Sequence, residues 1–353
     1  MRFFTPFLML GLVCSLLISC STDNVPEEQD LSGAFTLEAF STQTIYKVEA
    51  QNGHLFAGTD AGFHQFNIGT ETNVAGSFYD AATIRTFSVL DENSWLVAAY
   101  FEGQTSDNLL RTDDAGGHWR PYRNGYGGAD EWIPTTMDAV VAGSDTIVAA
   151  RTSPFGTVGL SADGGKNWED SWESWDNPTF GSSSFIKINS GQPQIITAGG
   201  STALFVPVFL ITYNGGEEWK VSSIIENSET DVTDAIINIS SSDEILVGST
   251  PVAFIRKSTN KGESWETVQS GNVILSFTRS PRNENIIYAS GVNQNGRLFF
   301  TTTQNFGESW ETIEMPDSPA GIRVNDMVSV MQSGKEVLYF GTNQGVYSYR
   351  FEE

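Results

Sequence analysis

Three segments of the chain interleave carboxylates with aromatic rings: Tyr100-Phe101-Glu102, the glycine-rich run from Gly125 through Tyr126, Asp130 and Glu131 to Trp132, and Trp172-Glu173-Ser174-Trp175-Asp176. Rings stack on the apolar faces of sugars and carboxylates accept hydroxyl or amine protons, so such segments suit a glycan or peptide surface. Arg85, Arg151 and Arg256 add guanidinium groups able to grip a carboxylate in two places. The binding set expected from these segments is Tyr100, Phe101, Tyr126, Trp132, Arg151, Trp172, Trp175 and Arg85. The same acids permit hydrolysis, since two carboxyl groups a few ångströms apart can act as acid and nucleophile at a glycosidic bond. Glu102, Asp130, Glu131, Glu173 and Asp176 are therefore the catalytic candidates, set against the plainer reading that loop acids of an acidic protein are solvated.

Acidity itself excludes some partners. Asp and Glu outnumber Lys and Arg 43 to 19, giving a net charge of −24. Attraction to phosphate backbones is disfavoured, and nucleic acid is not an expected partner. The three histidines, His54, His64 and His118, lack the spacing of a shared metal site. Neither a metal nor a cofactor is expected.

The chain opens with Arg2, an apolar run from Phe3 to Ile18, then Ser19 and Cys20. This is a secretory signal, too short for a permanent span. Its end, Leu17-Ile18-Ser19-Cys20, resembles the bacterial lipobox; an ordinary signal peptide with a chance cysteine is the alternative. The resemblance implies cleavage after residue 19 and lipid on the Cys20 thiol, an anchor that holds by burying acyl chains. Residues 20–32 are polar and acidic, which reads as a flexible tether. Ser21 after the cysteine favours the outer membrane by resemblance to sorted lipoproteins, without telling which face. Cys14 lies in the signal, so no disulfide is expected in the mature fold.

Residues 33–353 repeat. Five segments read Ser/Thr-x-Asp/Asn-x-Gly-x-x-Trp, carried by Asp114 and Trp119, Asp163 and Trp168, Asn214 and Trp219, Asn260 and Trp265, and Asn305 and Trp310. Successive tryptophans stand 49, 51, 46 and 45 residues apart, a period that suits one four-stranded blade. A short Asp or Asn side chain accepts turn amides, Gly supplies a positive φ, and the indole packs beneath. These residues are therefore read as structural. A second repeat counts more units: apolar runs ending in small residues, such as Leu55–Gly58, Leu96–Ala99, Ile245–Gly248 and Val337–Gly341, recur seven times and suit strands crowded near an axis. The last repeat ends one strand short, and the alternating segment Ala34–Phe40 can complete it.

The repeat resembles the Asp-box, or bacterial neuraminidase repeat, of sialidase-like, photosystem II stability factor-like and sortilin-like propellers. The resemblance implies an all-β, seven-bladed β-propeller of four-stranded antiparallel blades closed by its N-terminal strand, with six or eight blades as alternatives. It also puts the repeat turns on one face and the aromatic and acidic loops on the other, where Trp132, Trp172 and Trp175 either bind a ligand or plug gaps between blades. Sialidases need an arginine cluster, and no Phe-Arg-Ile-Pro-like segment lies near the first blade. The expected function is thus an envelope-anchored, non-catalytic binding or scaffold propeller for a glycan, peptide or protein, its oligomeric state open. A sialidase-type or other glycoside hydrolase is the alternative.

Overall fold

The computed structural model describes residues 31–352, except 69–72, 103–108, 122–132, 143–144, 154–157, 173–179, 203–206, 223 and 225–230. These residues build seven four-stranded antiparallel sheets and no helix. In each of blades 1 to 6 the strands pair in chain order from the axis outward. The inner strands of blades 1 to 7 are Ile45–Gln51, Ala82–Val89, Ile133–Ala142, Phe180–Ile188, Asp231–Ile237, Val273–Arg279 and Val324–Gln332.

Blade 7 takes its outer strand from the other end of the chain. Gly33–Ala39 pairs antiparallel with Gly345–Phe351, matching Phe35 to Tyr349 and Leu37 to Tyr347. Phe35 stacks on Tyr347 at 4.7 Å between ring centroids, and Arg350 Nη2 meets Glu38 Oε1 at 2.7 Å. Closure by both termini removes the exposed edge that an open ring would present.

The seven apolar runs are the second strands, not the strands at the axis. Their small residues answer crowding from the next blade. Every inner strand carries a bulge, at Ile45/Lys47, Ile84/Thr86, Pro134/Thr136, Ser183/Phe185, Val232/Asp234, Ile274/Ser276 and Val324/Asp326. The residue before the bulge presses on the neighbouring second strand. A Cβ on Gly58 would stand 2.6 Å from the Ile84 carbonyl oxygen, one on Gly248 2.6 Å from Ile274, and one on Gly341 2.9 Å from Ile45. Real Cβ atoms do not approach so closely, which is why glycine ends these strands. The bulges also sharpen the strand twist, as a closed ring of blades requires.

Candidate functional site

The most recognisable residues are committed to the turns between third and fourth strands. In all five repeats the Ser or Thr hydroxyl accepts the glycine amide, from Thr112 with Gly116 at 2.9 Å to Thr303 with Gly307 at 2.8 Å. The Asp or Asn oxygen accepts the amide four residues on, at 2.7 to 3.0 Å. Each of these glycines has a φ between 75° and 93°. His118 is used here too, its Nδ1 lying 2.6 Å from Asp114 Oδ2; the His118 side chain and then its amide hold the Asp114 carboxyl down at about 2.

Trp119 and Trp168 donate to the Gly116 and Gly165 carbonyls of their own turns, whereas two other indoles link blades. Trp219 Nε1 donates to Ser171 Oγ at 3.0 Å, and that hydroxyl donates to the Gly216 carbonyl at 2.6 Å, so blade 3 holds the turn of blade 4. Ser222 of blade 4 does the same for Trp265 and Gly262 of blade 5. Blade 5 has Val268 at the bulged position that Ser171 occupies in blade 3. The Nε1 of Trp310 in blade 6 is correspondingly buried without a partner.

On the opposite face, two expected binding residues come together. Arg85 is the residue skipped by the inner-strand bulge of blade 2, which turns it out of the ladder into solvent. Its guanidinium carbon lies 5.3 Å from the Tyr100 ring centroid and 5.8 Å from that of Tyr46, the residue skipped by the bulge of blade 1. Tyr100 is fixed in turn by donating to the Pro134 carbonyl of blade 3 at 2.9 Å, and burial pushes its phenol up to about 12. No carboxylate among the described residues pairs with Arg85. The result is an exposed, oriented cation on an acidic protein, suited to a ligand carboxylate or carbonyl.

The other expected residues are distributed differently. Phe101 packs edge-on against Tyr79 at 5.7 Å, and Glu102 is exposed. Trp172 is half-buried against the core that includes Ile186, Val208 and Leu210. Arg151 sits in the second strand of blade 3, opposite Thr136. Arg256 donates to the Ile224 carbonyl at 2.5 Å and covers Phe254. Tyr126, Asp130, Glu131, Trp132, Glu173, Trp175, Asp176 and Cys20 lie outside the described residues. Among the described residues no three His, Cys, Asp or Glu side chains are grouped to hold a metal ion.

The axis holds charges that the sequence reading did not single out. An inner strand has no neighbour on its axial side, so its edge amides and carbonyls need other partners. Acids supply them from the blade before: Glu49 accepts Val89 N at 3.1 Å, Asp138 accepts Ile188 N at 2.7 Å, Asp234 accepts Phe277 N at 2.8 Å, and Asp326 accepts Val48 N at 3.1 Å. Lys47 Nζ donates to the carbonyls of Phe87 at 2.6 Å and Met137 at 2.8 Å, tying blade 1 to blades 2 and 3. Lys187 of blade 4 stands 3.8 Å from Asp234 of blade 5.

Burial, and behind it the crowding of like charge, shifts the protonation of the axial acids. Burial raises Glu49 to about 7 against the pull of Lys47, and raises Asp234 to about 6 against that of Lys187. Burial disfavours the charge of Lys187, yet Asp234, Asp326, Asp138 and Glu49 together hold the ammonium above its ordinary value. One signal could have found three of these acids: Asp138, Asp234 and Asp326 each precede Ala or Met in the first strand of a blade, one strand ahead of a small-residue run.

No family model matches the chain, and no curated protein is similar to it in sequence. Its fold, a seven-bladed β-propeller, is shared with solved structures at low identity. One is YCF48 bound to D1 peptide, 15% identical, with a TM-score of 0.61, covering 91% of this chain and 97% of that one. A second is the GH74 xyloglucanase of Xanthomonas campestris, 13% identical with a TM-score of 0.62, where 90% of this chain matches 53% of the enzyme. A third is the WD40 propeller domain of Doa1, 12% identical with a TM-score of 0.60, covering 91% of this chain and 98% of that domain. Structures of this shape thus include one bound to a peptide and one of a glycoside hydrolase.

Proposed function

We propose that the chain is an Asp-box propeller that is tethered to the bacterial envelope through lipid on Cys20 and binds, without catalysis, a glycan, peptide or protein on the face opposite its repeat turns. The observation that carries this reading is the exposed Arg85 guanidinium set between Tyr46 and Tyr100 with no acid beside it among the described residues. A carboxylate or carbonyl of the partner occupies that guanidinium, and Phe101 and Glu102, which follow Tyr100 in the chain, widen the contact. The similarity to YCF48 bound to D1 peptide is consistent with a peptide-binding use of the fold. Arrays of acidic glycans and of peptides with free C-termini, probed with wild type and Arg85→Ala, test it; binding should fall at least tenfold in the variant.

A glycan-active enzyme is the second reading, favoured by the similarity in fold to a GH74 xyloglucanase. Turnover of fluorogenic glycosides or sialosides that is abolished by changing Glu131 or Glu173 would establish it in place of the binding reading. The anchor is tested separately: radioactive palmitate should label the full chain and not Cys20→Ala.

A further inference from the structure

At the end of the axis that faces the repeat turns, a cavity of about 200 Å³ opens between blades 4, 5 and 6. Its apolar wall is formed by Ile236, Ile239 and Phe277, and its polar side by Lys187, Asn189 and Thr197, with Arg279 at its margin. None of the lining residues is a carboxylate. In a chain of net charge −24 this small lining carries two cations, although the acids of the axis, Asp234 foremost, also draw the Lys187 ammonium.

The polar side is built and unused. Asn189 is 7% exposed and Thr197 1% exposed, yet the Asn189 Nδ2 and Thr197 Oγ1 atoms are buried without a hydrogen-bond partner. Asn189 is held in place by its other side-chain atom, Oδ1, which accepts the amides of Gly191 at 3.0 Å and Gln192 at 3.3 Å. Thr197 stands opposite Lys187 in the strand pairing, so the two project on the same side of the sheet. The Lys187 ammonium meets Asp234 only at 3.8 Å, beyond hydrogen-bond reach, and 38% of its side chain is open. Arg279 is fixed by donating to the Ile237 carbonyl at 2.5 Å and to that of Glu284.

Buried donors left unpartnered cost free energy that a ligand oxygen recovers. Ammonium, amide and hydroxyl donors beside an apolar wall fit a carboxylate on a small ring or short chain. Sites for drug-sized ligands occupy roughly 300–1,000 Å³, so this one admits a monosaccharide at most. We propose that the cavity is a second binding site, distinct from the Arg85 mouth, for a small carboxylate such as a uronic acid. Its carboxylate sits on Lys187, with its other oxygens on Asn189 and Thr197.

Calorimetric titration of the full chain with glucuronate and, separately, with glucose tests this. Glucuronate should bind at least tenfold more tightly than glucose. Lys187→Met should weaken it tenfold or more, and Thr197→Val about threefold. Thr197→Val removes a hydroxyl that has no partner in the fold, so this variant remains folded if loss of Lys187 disturbs Asp234. Thr197→Val should leave partner binding at the Arg85 face unchanged, which separates this site from the proposed partner face. Equal binding of both sugars, binding of neither, or glucuronate binding that survives both cavity substitutions would overturn the assignment.

Discussion

Asp326 Oδ2 accepts the amide of Val48 at 3.1 Å, joining the last inner strand to the first across 278 positions of sequence. The same carboxylate accepts Met327 N at 2.9 Å and the Ser276 hydroxyl at 3.2 Å, so it ties blades 6, 7 and 1 at one point. The ring is therefore sealed twice, by the terminal strand at its rim and by a side chain at its axis.

Asp326→Ala leaves two buried amides and a hydroxyl without that acceptor. Each such group costs about 1–3 kcal/mol, partly relieved by water in the channel. The expected loss is roughly 2–3 kcal/mol in urea denaturation, with Asp326→Asn losing less because one acceptor oxygen remains. A change within error for the alanine variant would show that the axial bond carries no stability.

Stability should fall as pH rises through the range in which the axial acids ionise. Glu49 and Asp234 have ordinary values of 4.5 and 3.8, raised in the fold to about 7 and about 6. The folded state therefore binds protons more tightly than the unfolded chain. Their contribution is complete below those ordinary values and is lost as pH climbs to the raised ones. Between about pH 5 and 7.5 the loss is on the order of 1–3 kcal/mol. Glu49→Gln should flatten the slope; an unchanged slope in that variant would assign it to other groups.

Val268→Thr should stabilise the protein. A hydroxyl there can take the Trp310 Nε1 proton as Ser171 takes that of Trp219, while one methyl group keeps the packing. The gain is about 0.5–1 kcal/mol, read as a rise in Tm. The reciprocal change, Ser222→Ala, strands Trp265 Nε1 and the Gly262 carbonyl and should cost about 1–2 kcal/mol. Opposite signs for the two variants are the test.

Removing residues 1–40 deletes the rim closure and exposes the edge of Gly345–Phe351. The shortened chain should melt at lower temperature and self-associate in sedimentation velocity, because an uncovered strand edge recruits another. A monomer of unchanged Tm would mean that the axial contacts close the ring alone.

What could be read from the sequence was local or repeated. The turn residues from Thr112 to Trp119 carry their own hydrogen-bond logic within eight positions, so their structural role followed from residue types. Seven small-residue runs gave the blade count, although they proved to be the second strands, because a glycine crowded by the next blade looks the same in sequence as one crowded at an axis. The site was less accessible. By type and position Arg85 and Tyr100 stand out as separate candidates, but Tyr46 joins them only through the bulges in two blades that bring it beside Arg85. Lys187, Asn189 and Thr197 were missed since nothing in their types announces an unpartnered donor; that depends on three blades meeting. Asp138, Asp234 and Asp326 read as ordinary acids until the register set each against a neighbouring amide.

The partner-binding face anchored at Arg85 is tested most directly by the binding of labelled propeller to the free-C-terminal peptide and acidic glycan arrays, in wild type and Arg85→Ala, beside a glycoside turnover assay. Binding to carboxylate-bearing members should fall at least tenfold in Arg85→Ala, with melting unchanged and no turnover. Binding indifferent to Arg85, or turnover abolished by changing Glu102, Glu131 or Glu173, would contradict it.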